Sequence, residues 1–183
     1  MDYFPPDTWG TPPNFYAGLA TVISESLLDM DEFPLWQGQS LLYLYRFVLR
    51  RNFHPALCIT ITEAEQGTGE LTAKILTSPP ESATLPKSGR AQWVKQGKTY
   101  YQATATLASN DYQALQKAFE AAKFWEMAPT DEHTGSDGSI WLLEAFANGH
   151  YHAVMRWSPE AGVFRDLALE MLAVGAITLE YIY

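Results

Sequence analysis

The dipeptide Asn148-Gly149 constrains the fold of this chain more than any other feature. It separates two apolar runs, residues 140–147 and 150–157. Both of its residues tolerate positive φ, as a two-residue turn between twisted strands requires. The reading is a β-hairpin in which Ala147 faces His150, Glu144 faces Ala153 and Trp141 faces Arg156. Because side chains alternate along a strand, this register sorts the hairpin into two faces. One carries Trp141, Leu143, Ala145, His150, His152, Val154 and Arg156. The other carries Ile140, Leu142, Glu144, Phe146, Tyr151, Ala153, Met155 and Trp157. The second face is the more apolar and is expected to pack against helices.

That placement sends Glu144 inward among large hydrophobes. A buried carboxylate needs a cation or hydrogen bonds, or it stays protonated. Arg46, Arg50 and Arg165 are candidate partners. Glu144 is read either as a site residue with a raised pKa or as one end of an internal Glu–Arg tie. On the other face, Arg156 opposite Trp141 predicts a cation–π pair. His150 and His152 share that side at i and i+2. A metal ion there would need a third ligand from His54, His133 or Asp137, and no recognised metal-site spacing supplies one. No metal or cofactor is expected. The candidate binding residues are Trp141, Glu144, His150, His152 and Arg156; no catalytic residue is assigned.

The rest of the chain reads as further antiparallel strands and three helices. Residues 1–14 carry four prolines and form an irregular arm, laid over the body by Tyr3, Phe4 and Trp9. Asn14 can cap a helix over 15–31, which Pro34 prevents from continuing. Residues 42–51 suggest a strand, with a helix as the alternative. The β-branched run Ile59-Thr60-Ile61-Thr62 favours a strand over 57–63, which pairs through the turn at 66–69 with residues 70–77. A proline-rich loop spans 78–91, and 92–95 with 100–107 give a second hairpin. Ser109 is expected to cap a helix over 111–123. Ser158-Pro159-Glu160 precede a helix over 164–174, and residues 177–183 form a last strand or docked extension. Strands meeting through hairpins, without βαβ alternation, predict an α+β fold. Its antiparallel sheet has five to seven strands, with helices packed mainly on one face. The length of 183 residues suits one domain.

Composition narrows the function classes. The net charge of −9 disfavours nucleic acid, whose phosphates are met by Lys and Arg, and is compatible with a basic protein partner. No stretch approaches the roughly 18 apolar residues of a membrane span. One cysteine, Cys58 in an apolar run, and no basic-then-apolar leader at the start predict a cytoplasmic chain with a buried thiol. Phosphate-binding glycine loops, a G-x-S-x-G elbow and an H-E-x-x-H pair are all missing from the sequence.

The segments Asp137-Gly138-Ser139-Ile140-Trp141-Leu142-Leu143-Glu144, Gly149-His150-Tyr151-His152 and Arg156-Trp157-Ser158-Pro159 resemble a group of small, uncharacterised bacterial proteins. The resemblance covers mainly residues 124–174, with a looser echo over 46–61. It implies a bacterial origin and a structural hairpin signature, and by analogy an immunity protein that blocks a toxin. The expected function is therefore a non-enzymatic protein-binding module with a basic, toxin-like partner. The alternative is a small-molecule-binding protein or hydrolase-like enzyme using the aromatic and histidine cleft. A third reading is a self-associating subunit that pairs through its apolar tail.

Overall fold

A computed structural model of the chain describes residues 3–10, 14–37, 43–77, 87–88, 91–179 and 182. Its centre is an antiparallel sheet of seven strands. These are β1 (Leu44–Arg51), β2 (Leu57–Glu63), β3 (Gly69–Leu76), β5 (Val94–Gln96), β6 (Tyr100–Leu107), β7 (Ser139–Ala147) and β8 (His150–Trp157), in the spatial order β5-β6-β3-β2-β1-β7-β8. Two short strands, β4 (Lys87–Ser88) and β9 (Ile177–Thr178), pair separately. The helices are α1 (Phe15–Asp29), α2 (Ser109–Ala121) and α3 (Val163–Val174). This is the expected α+β architecture. None of the helices is long and apolar enough, among the described residues, to cross a membrane. The rest of the 78–91 loop, residues 1–2 and 11–13 of the arm, Leu42, and tail residues 180, 181 and 183 lie outside the described residues.

Both faces of the sheet are covered. Tyr45, Phe47, Leu49, Leu57, Ile59, Ile61, Trp141, Leu143 and Val154 point to the side where α2 packs with Tyr112, Leu115 and Phe119, and α3 with Leu167, Ala168, Met171 and Leu172. Val48, Cys58, Ile140, Leu142, Ala153, Met155 and Trp157 point the other way. There they meet α1 through Tyr16, Ala20, Ile23, Leu27 and Met30, residues spaced three or four apart. Tyr3, Phe4 and Trp9 of the arm extend this layer, with edge-to-face ring contacts between neighbours. The face expected to meet helices does so, through α1 and the arm, while α2 and α3 bury the face expected to be sheet surface. Central strands buried on both sides lose their polar alternation. All nine residues of β7 are buried, as are seven of eight in β1.

Local chemistry sets the helix ends. Asn14 accepts from the Ala17 N–H at 2.7 Å, as a cap should. α1 stops two residues short of expectation, because Asp31 takes a left-handed φ of 52°. Ser109 is the first helical residue rather than the cap, a position held by Ala108 with extended backbone. Gly162 precedes α3 at a φ of 102°, so the Ser158-Pro159-Glu160 turn lies just outside that helix.

At the β8 edge, an irregular segment covers the open side of the sheet. The Met155 N–H donates to the Pro129 carbonyl at 2.8 Å. Side chains of β8 reach the same segment, as described next.

Candidate functional site

The Asn148-Gly149 turn has φ values of 51° and 77°, both left-handed as a primed hairpin turn demands. The strand register is the expected one from Ala147–His150 to Ile140–Trp157. Each predicted site residue can therefore be followed from its strand position to its contacts.

Trp141 is wholly buried and donates from its indole Nε1 to Ser139 Oγ at 2.7 Å. It is core rather than a ligand-facing ring. The cation over its face is Arg165 of α3, 4.9 Å from the ring centroid, and not Arg156 as expected. Arg156 lies on an edge strand, so its long side chain leans outward. It donates to the carbonyls of Ala128, Pro129 and Met155 and pairs with Asp131 at 3.3 Å. Its guanidinium also stacks over Phe164.

His152 sits beside the Phe124 and Trp125 rings and donates from Nε2 to the Met127 carbonyl at 3.0 Å. Partial burial lowers its pKa below the ordinary imidazole value, against the pull of that carbonyl. His150 is exposed near the turn. No group of three or more metal-ligating side chains forms among the described residues. His152 and Arg156 thus serve as ties that fasten residues 127–131 along the sheet edge.

Glu144 faces the opposite layer and has no exposed surface. Its partner is Arg46, directly across the β1–β7 ladder, with Nη1 at 3.4 Å from Oε2. Tyr151 donates to the other carboxylate oxygen at 2.7 Å. Burial raises the Glu144 pKa above the ordinary carboxyl value, while Arg46 pulls it down. Burial and the Glu144 charge push the Tyr151 phenol well above its ordinary value.

This pair belongs to a larger buried network. Arg46 Nη2 pairs with Glu32 Oε2 at 2.6 Å, and Lys74 Nζ with Glu32 Oε1 at 2.8 Å. Arg46 Nη1 also donates to Tyr3 Oη at 2.8 Å, and Tyr3 in turn donates to the Phe33 carbonyl. Glu32 is buried because it neutralises these two cations. The sequence reading missed Glu32, Lys74, Tyr3 and Tyr151. Lys74 had left a signal: it sits inside the strand Leu71-Thr72-Ala73-Lys74-Ile75-Leu76 on the face of Cys58, where a solvated lysine has no place.

At the end of the sheet where β1 leaves and β7 begins, a different surface forms. A cleft of about 320 Å³ is lined by Asp131, His133, Arg156, Trp157, Glu160 and Phe164, with the loop around Ser158 between them. Of the five predicted binding residues, only Arg156 borders it. Asp131 also accepts from the Tyr16 hydroxyl, which anchors the loop to α1. The loop then runs so close to Trp157 that a Cβ on Gly135 would lie 2.3 Å from the indole nitrogen. Beside it, the Asn52 N–H donates to the Gly138 carbonyl at 3.0 Å, and Phe53 is 79% exposed with a φ of 65°.

No family model, no curated protein and no solved structure matches this chain.

Proposed function

We propose that this chain is a non-enzymatic protein-binding module whose partner is a basic protein, in the manner of an immunity protein that neutralises a bacterial toxin. The observation that carries the reading is Phe53. A bulky residue in left-handed backbone costs about 1–2 kcal/mol, and its ring is the most exposed of the large hydrophobic side chains among the described residues, so it forgoes the burial that most of the other aromatic rings obtain. Such a residue suits an anchor that enters a pocket on a partner. Its surroundings supply the complementary charge. Glu132 and Asp137 are exposed on a loop held down by Asn52, Tyr16 and Trp157, and Glu160 is exposed in the connection from β8 to α3. The overall charge of −9 favours fast encounter with a cationic surface. Meanwhile the polar atoms of Trp141, His152 and Arg156 are engaged in holding the fold together.

The test is affinity capture from the source cells with the intact chain, Phe53→Ser and Asp137→Lys. A basic protein should be retained stoichiometrically, released by salt, and bound at least tenfold more weakly by each variant. Capture that is equal for all three chains, or no stoichiometric partner, overturns the proposal. If the captured protein arrests growth when produced alone and not when produced with this chain, the partner is a toxin.

The cleft favours a second reading, small-molecule binding between Trp157 and Phe164. Ligand-induced change in indole fluorescence, lost on Phe164→Ala, would support that reading over the first.

A further inference from the structure

We infer that Arg46 and Lys74 form a carboxylate-binding site on the sheet, and that Glu32 is its resident ligand, latching the connection after α1 onto the strands. The inference rests on the buried network alone and is independent of the protein-binding proposal.

The two cations come from strands that do not touch. Arg46 is on β1 and Lys74 on β3, with β2 between them. One carboxylate spans the gap, giving one oxygen to each: Oε2 to Arg46 at 2.6 Å and Oε1 to Lys74 at 2.8 Å. That is how a bound acid would be held, by two charge-assisted hydrogen bonds of fixed direction. Yet Glu32 is not part of the sheet. It arrives on an irregular stretch between α1 and β1, just after the left-handed Asp31 and just before Phe33, which is 53% exposed.

Groups other than Glu32 also orient Arg46: Glu144 across the ladder, Thr60 on β2 at 3.3 Å, Tyr3 of the arm, and the Phe33 carbonyl at 3.0 Å. Lys74 lies 5.1 Å from the centroid of the Tyr100 ring. Its polar partners among the described residues all come from the latch: Glu32 and the carbonyls of Met30 and Asp31. Two cations face Glu144 and Glu32, so removing the Glu32 carboxylate leaves one unbalanced positive charge in a buried place. Uncompensated buried charge strongly favours capture of an anion. Ile23, Leu27, Met30 and Leu35, all nearly or fully buried, keep the flanking segments seated when the carboxylate is gone.

The experiment follows from size. Glu32→Ala deletes a CH₂–COO⁻ group, which is acetate in outline. Thermal unfolding of Glu32→Ala should be compared in about 0.1 M sodium acetate and in sodium chloride of equal ionic strength at neutral pH. Acetate should raise Tm by about 3–6 °C if its affinity lies near 10 mM. The intact chain should show no difference between the salts, because Glu32 fills the site. Glu32→Ala with Lys74→Met should lose the response. If Glu32→Ala responds to acetate no more than the intact chain does, the inference is overturned. If that variant does not fold in chloride, its refolding yield reads the same property: recovery in acetate supports the site, and equal failure in both salts overturns it.

Discussion

On the α2–α3 face, Phe47, Leu143, Phe119 and Met171 meet as apolar surface against apolar surface. On the α1 face, Val48, Leu142, Ile23 and Met155 surround Arg46, Glu144, Glu32 and Lys74. One sheet thus has a side held by packing and a side held by packing around charge. The first gains stability with every methylene removed from water. The second must match each buried charge, and an ion pair so placed adds little net stability while being costly to break. What the charged side gains is direction: Arg46 can satisfy Glu144, Thr60, Tyr3 and Glu32 only when β1, β2, β7, the arm and the α1 connection are all in place.

The largest expected effect comes from breaking that side. Arg46→Ala leaves two carboxylates without their shared cation and should destabilise by about 3–5 kcal/mol in denaturant unfolding. Arg46→Met combined with Glu32→Leu, Glu144→Leu and Lys74→Met should recover most of that loss. Recovery would show that the charges direct the packing and do not supply its net stability. On the other face, Leu143→Ala should cost about 2–5 kcal/mol, set by the cavity it leaves, with no polar replacement able to restore it.

The faces should also differ in their response to pH. Burial raises the folded-state pKa of Glu144 above its ordinary value of 4.5. The folded chain therefore holds this proton more tightly than the unfolded chain. The stabilisation is fully present below the unfolded value and is lost as pH rises through the folded one. Glu144→Gln should flatten that part of the stability profile above pH 4.5, and a profile unchanged by the substitution would contradict it.

Smaller effects test the hairpin. Gly149 has a left-handed φ of 77°, so Gly149→Ala should cost about 1 kcal/mol. His150→Ala, at an exposed position, should change stability by less than about 0.5 kcal/mol.

Much of this architecture could be read from residue order. Asn148-Gly149 determined eight cross-strand pairs, because a two-residue turn leaves no freedom of register. It also placed Glu144 on the other face of the hairpin from His152 and Arg156. The partner of Glu144 could not be chosen among three arginines, since the β1–β7 pairing joins residues 98 apart in the chain. Neither could the coverage of both faces. The face of Trp141, Leu143 and Val154 looked the less apolar because it also carries His150, His152 and Arg156, yet α1 and the α2–α3 pair each needed a face. The Trp141–Arg156 pairing failed because facing positions on a ladder do not require facing side chains when one strand is at the edge. Phe53 and Glu32 left no periodic trace, because both lie in connections, where no repeat dictates which side is inward.

The segment tied along β8 by Met155, His152 and Arg156 has a consequence for how the molecule can meet others. One main-chain hydrogen bond from Met155 and the side-chain ties of His152 and Arg156 hold this segment against the outermost strand, where it hinders a foreign strand from pairing. Polymerisation by strand addition is thereby discouraged at the β8 edge of the sheet. Contact with another protein falls to side chains on the connections, which can be altered one at a time without disturbing the ladder beneath.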